Sequence, residues 1–99
     1  MRSFEVSGMS PSEFVSEITS EISAQEFDRF VSIRHDGDDL KVEFRWMGTT
    51  RFNYRILPEG DGFRAELTDQ HVAPLHAAFS DRFEGYFEKA LAKVGATTI

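Results

Sequence analysis

The chain has no cysteine, three prolines, three lysines and one tryptophan among its 99 residues. Without cysteine there is no disulfide framework, thiolate metal site, iron–sulfur cluster or thiol nucleophile, which suits a reducing compartment such as the cytoplasm. No apolar run approaches the ~20 residues needed to cross a bilayer. Arg2, Glu5 and Glu13 interrupt the opening segment, so it does not read as a signal peptide. Catalytic signatures are missing as well. There is no G-x-S-x-G nucleophile elbow, no phosphate-cradling glycine loop and no H-E-x-x-H pair. The expectation is therefore a protein with no cofactor and no bound metal, read as a non-enzymatic module first and as a small-molecule binder or enzyme second.

What is present describes one ordinary folded domain over residues 1–99, with 40% hydrophobic and 28% charged residues. Seventeen acidic against eleven basic residues give a formal charge of −6. Long-range attraction to phosphate then has the wrong sign, which argues against nucleic acid and anionic membranes as partners.

The apolar pattern changes period along the chain. Phe4 and Val6 alternate with Ser3 and Glu5 and predict a short first strand. Ser10 and Glu13, with Pro11 between them, have the spacing of a capping box with proline at the first helical position. Phe14, Val15, Ile18 and Ile22 follow on one helical stripe. Ser23 and Glu26 repeat the capping spacing and predict a second short helix carrying Phe27 and Phe30. From Val31 the period is two: Val31–Arg34, Leu40–Trp46, Phe52–Ile56 and Phe63–Leu67 read as four strands. Turn residues separate them at Asp36–Asp39, Met47–Thr50 and Pro58–Gly62. Beyond Thr68 the period returns to 3.6, predicting one long helix from Pro74 to about Val94, ended by Gly95.

The predicted fold is α+β, β-α(α)-β4-α, with a four- to five-stranded antiparallel sheet and helices packed on one face. This element order resembles the TATA-binding-protein-like fold and a shortened helix-grip fold. The resemblance is one of element order alone; it rests on no sequence motif and transfers no function.

Two groups of residues are candidates for function. Alternation places Arg34, Lys41, Arg45, Arg51, Asn53, Arg55 and Arg64 on the outward face of the sheet, with Glu43 and Glu66. The expected balance there is +4, six cations against two carboxylates. Arginine suits planar recognition of carboxylates, so the face is expected to support self-association as a homodimer or binding of an acidic protein. The competing reading is a solvated face of cross-strand ion pairs. A DNA-binding role of the TATA-binding kind would want exposed aromatic or apolar wedges on this face, and the pattern provides none. The second group is Trp46, Tyr54, His76, Phe79 and Tyr86, which would line a cavity for a small hydrophobic ligand if helix and sheet left room between them. His76 reads first as a hydrogen-bonded core histidine and only second as a cavity residue.

Metal sites are not expected. Asp36, Asp38 and Asp39 beside His35 are accounted for by a turn, and the residues from Leu40 onward do not continue an EF-hand loop. His71 and His76 lie five apart with Pro74 between them, a poor spacing for two ligands on one helix.

Overall fold

The computed structural model describes residues 1–24 and 29–99. The chain begins with β1 (Phe4–Val6) and α1 (Pro11–Ser23). It continues through β2 (Val31–Asp36), β3 (Asp39–Arg45), β4 (Thr49–Glu59) and β5 (Gly62–His71). A 3₁₀ segment (Pro74–Phe79), α2 (Ser80–Lys93) and β6 (Ala96–Thr98) complete it. The helix expected around Glu26 and Phe27 falls on residues 25–28, outside the described residues.

Helix α1 starts where the capping box predicts. The Glu13 N–H donates to Ser10 Oγ at 3.2 Å, and the Ser10 N–H donates to Glu13 Oε1 at 3.4 Å. Phe14, Ile18 and Ile22 of α1, with Phe83, Phe87, Ala90 and Leu91 of α2, are buried against one face of the sheet. The sheet contributes Phe4, Leu40, Val42, Phe44, Phe52, Tyr54, Ile56, Phe63 and Ala65 to the same core. Among the described residues the opposite face carries no helix, which leaves most charged positions of the strands open to solvent.

All six strands pair antiparallel, in the order β2-β3-β4-β5-β1-β6. The sheet thus has more strands than expected. β6 was missed because its three residues, Ala96, Thr97 and Thr98, are too few to display a period. Gly62 lets β5 approach β1: a Cβ at this position would stand 1.8 Å from the Val6 carbonyl oxygen.

The long C-terminal helix divides in two. Between Pro74 and Phe79 the turn is tighter, with the His76 N–H donating to the Ala73 carbonyl, three residues back, at 2.8 Å. The His76 side chain is anchored on one side by β4 and on the other by the β3–β4 turn, and this holds the tighter turn in place. β4 and β5 also run further than their alternation predicts. A bulge at Asn53/Tyr54 shifts the β5 register near Thr68 and carries Asp69 and His71 into the sheet.

Candidate functional site

Cross-strand registers arrange the outward face in rows. Nearest the β3–β4 turn, Arg45 lies opposite Thr49. The next row runs Ser32, Glu43, Arg51, His71, and the one after it Arg34, Lys41, Asn53, Asp69. Further from the turn come Asp36, Asp39, Arg55, Glu66 and then Leu57, Arg64, Glu5, Thr97. All seven residues predicted for this face are on it.

The expected balance of +4 is corrected. Seven carboxylates (Glu5, Asp36, Asp39, Glu43, Glu59, Glu66 and Asp69) share the face with its six cations. The sequence pattern counts Asp36, Asp39 and Glu59 with the turns and Asp69 beyond the last strand, and it does not say which strand β1 would pair with. The face is close to neutral overall but polarised along its strands. Four cations and two carboxylates occupy the three rows nearest the β3–β4 turn; the rest of the face holds two cations and five carboxylates.

Glu43 sits in the cationic half. Arg45 donates to its Oε2 from Nε at 3.0 Å and from Nη2 at 2.8 Å, and Arg34 Nη2 donates to Oε1 at 3.4 Å. The arginine side chains cover the carboxylate, leaving the Glu43 side chain 8% exposed while each arginine stays 65% exposed. The hydrogen bonds from Arg45, with the positive charges of Arg45, Arg34 and Arg51, hold its carboxyl below the ordinary carboxylate range despite burial. One carboxylate thereby gathers several guanidinium groups and fixes two of them.

The other cations divide into paired and unpaired. Arg64 lies 3.4 Å from Glu66 and 3.9 Å from Glu5. Lys41, Arg51 and Arg55 make no ion pair among the described residues. Two of these three, Lys41 and Arg51, belong to the cationic half.

The five residues of the expected cavity do not surround one space. Tyr54 is fully buried, packs edge-on to Phe4 at 5.1 Å and donates its hydroxyl to the Arg2 carbonyl at 3.2 Å. Burial raises its hydroxyl pKa well above the usual tyrosine value, reinforced by the charges of Glu84 and Glu88. Tyr86 places its hydroxyl 3.5 Å from the Ile22 carbonyl. Only Trp46 and Phe79 meet His76, with ring centroids 6.2 and 5.6 Å away. The void beside His76, between Phe44, Phe52, Phe79 and Phe83, measures about 10 Å³, no more than a single water would need. A larger groove of about 390 Å³ opens on α2, lined among the described residues by Phe79, Arg82, Phe83 and Tyr86.

His76 is a structural residue. It is 2% exposed, with Nδ1 at 2.6 Å from Thr50 Oγ1 and Nε2 at 2.5 Å from the Trp46 carbonyl oxygen. A carbonyl only accepts, so Nε2 carries the proton and Nδ1 accepts from the Thr50 hydroxyl. Thr50 Oγ1 in turn accepts from the Ala73 N–H at 3.0 Å. This chain of bonds ties the β3–β4 turn, where Met47 has φ +51° and Gly48 φ +129°, to the start of the 3₁₀ segment.

Exposed apolar side chains group at this end of the sheet, a surface feature that the alternation of the strands does not reveal. Trp46, Met47, Val72 and Leu75 are 36 to 71% exposed. Their clustering depends on β5 ending beside the β3–β4 turn, which no local pattern announces. Asp36 and Asp39 form the last rung of the β2–β3 hairpin, and His35 points elsewhere, its Nε2 lying 2.9 Å from Ser12 Oγ on α1. Among the described residues no three histidine or carboxylate side chains group as a metal site, and no helix is long and apolar enough to cross a membrane. The chain matches no protein-family model, no curated protein and no solved structure.

Proposed function

We propose that this chain is a cytoplasmic, non-enzymatic interaction module that uses the arginine-bearing face of its sheet to bind a second copy or an acidic partner. The observation that carries the reading is the polarised charge. The half nearest the β3–β4 turn presents Arg34 and Arg45 held by a single covered carboxylate, beside the unpaired Lys41 and Arg51. Fixing the guanidinium groups in advance lowers the conformational entropy lost when a partner's carboxylate arrives. The rest of the molecule is strongly acidic, and at about 10 Å of screening length in 0.1 M salt that distant charge does not cancel the cations at contact range.

The test pairs light scattering after size exclusion, at low and at high salt, with titration of polyglutamate. Wild type is compared with the double variant Lys41→Glu, Arg51→Glu. Wild-type protein should show an association, with itself or with polyglutamate, that weakens with salt, and the variant should lose it while remaining folded. A variant that keeps the wild-type mass and polyglutamate affinity would remove the proposal. The second reading, a small hydrophobic ligand, now rests on the α2 groove rather than on His76. A ligand screen by thermal shift with wild type and Phe83→Ser addresses it: a ligand whose stabilisation is lost in the variant supports a site there.

A further inference from the structure

Among the described residues, five large apolar side chains are exposed: Trp46, Met47, Val72, Leu75 and Ile99. The first four sit together at one end of the sheet. Trp46 stacks over His76, Val72 borders the same small void as His76, and a Cβ on Gly48 would stand 3.3 Å from the Cβ of Ala73. The turn bearing Trp46 and Met47 is thus packed on the segment bearing Val72 and Leu75. The hydrogen bonds of His76 and Thr50 hold both in place. Grouped exposed apolar side chains on a braced scaffold mark a docking surface, whereas single exposed ones do not.

This tip adjoins the cationic half of the open face. Arg45 immediately precedes Trp46, and the row behind it places Arg51 next to His71, which immediately precedes Val72. An occupant complementary to both needs apolar anchors for the tip and carboxylates for Arg45 and Arg51.

A second copy of the chain does not supply that combination. Two tips meeting about a two-fold axis would bring the arginines of one against those of the other. Ile99 is the one remaining exposed anchor among the described residues, and Arg2 Nε already donates to its main-chain oxygen at 2.9 Å.

We infer that the β3–β4 tip and the adjoining arginines form one docking site for a short acidic segment of a different protein, with one or two aromatic or aliphatic anchors seated on Trp46, Met47 and Leu75. The inference rests on the reading of the sheet face given above and names its partner class. Carboxylates following the anchors run onto Arg45 and Arg51.

The experiment uses a display library of random short peptides lacking tryptophan, selected on the wild-type protein. Enriched peptides are then titrated while the emission of Trp46, the only tryptophan in the chain, is followed. Acidic peptides with an apolar anchor should be enriched and should shift the emission to the blue. Binding should weaken by about tenfold or more when the anchor is replaced by serine, when the acids become amides, or in the protein variant Met47→Ser, Leu75→Ser. That variant changes only exposed positions, and its thermal unfolding reports whether the fold is kept. Enrichment of no peptide, or of peptides without acidic residues, overturns the inference. So does a Trp46 signal that follows protein concentration alone, which would make the occupant a second copy. If anchor-free acidic peptides bind equally well and lose affinity in Lys41→Glu, Arg51→Glu, the sheet-face reading stands and the tip inference fails.

Discussion

Arg45 donates two hydrogen bonds to one oxygen of Glu43, its neighbour two residues back on the same strand face, at 3.0 and 2.8 Å. Exposed ion pairs commonly contribute little because both side chains must be ordered against solvent. Here one partner is covered and the other is splayed across it, so the pair sets the shape of the face more than its stability. Glu43 holds guanidinium groups in position over an otherwise open sheet.

Replacing Glu43 by Gln should lower stability by about 1–2 kcal/mol, as a charge-assisted acceptor is lost and Arg34, Arg45 and Arg51 are left to repel one another. The pH dependence has a definite sign. The folded carboxyl has a lowered pKa, so its contribution is full above the unfolded value of 4.5 and is lost as pH falls through the folded value. The stability gap between wild type and Glu43→Gln should therefore be constant near neutrality and close below about pH 4.5. Thermal denaturation of both proteins across this range tests it; a gap that does not change with pH contradicts the assignment.

Thr50→Val should cost about 1–3 kcal/mol, since it leaves His76 Nδ1 and the Ala73 N–H without partners in a buried site. The emission of Trp46 should change in parallel, because Trp46 stacks on the ring that Thr50 orients. Urea denaturation and fluorescence of the variant give both readouts. A variant as stable as wild type, with unchanged emission, would mean that the His76 chain does not brace the turn.

Gly62→Ala should be costly although no unusual backbone angle is required there. The added methyl would overlap the Val6 carbonyl oxygen and force β1 away from β5. A loss of roughly 1–3 kcal/mol is expected. Amide hydrogen exchange should locate it, with protection falling at Phe4–Val6 and at the β6 amides paired to them. Protection that falls uniformly across the sheet would contradict this placement.

Arg55→Glu probes the opposite end of the polarised face. Arg55 is paired by register with Asp39 and Glu66, so the reversal sets like charges side by side and should destabilise by about 0.5–1 kcal/mol. It lies outside the cationic half, so polyglutamate binding should persist. Loss of binding in this variant, as large as in Lys41→Glu, Arg51→Glu, would show that charge position does not matter.

The core elements were legible because each carries its own periodicity. Phe14, Ile18 and Ile22 repeat at helical spacing, and Leu40, Val42 and Phe44 alternate as a half-buried strand does. The single-face packing of the helices followed from the same patterns. β6 was hidden by its length, and the break after Phe79 by a tertiary cause, the bonds from His76 to Thr50 on β4 and Trp46 in the β3–β4 turn. The seven polar residues of the open face were identified individually, but their balance was misjudged. Glu5 joins Arg64 only through the β1–β5 pairing, and Asp69 joins Asn53 only through the bulge. The covering of Glu43 by arginines and the grouping of Trp46 with Leu75 are likewise products of register. The cavity expected from Tyr54, Tyr86 and His76 fails because residues sharing an apolar face can sit far apart along it.

The most direct measurement is an amide nitrogen–proton correlation spectrum of labelled protein during titration with polyglutamate. The account predicts shifts that cluster on Lys41, Glu43, Arg45 and Arg51 near the β3–β4 turn, fade with added salt, and spare Glu5, Arg64 and Glu66. Shifts centred on Glu5, Arg64 and Glu66, or a spectrum that polyglutamate leaves unchanged at low salt, would contradict it.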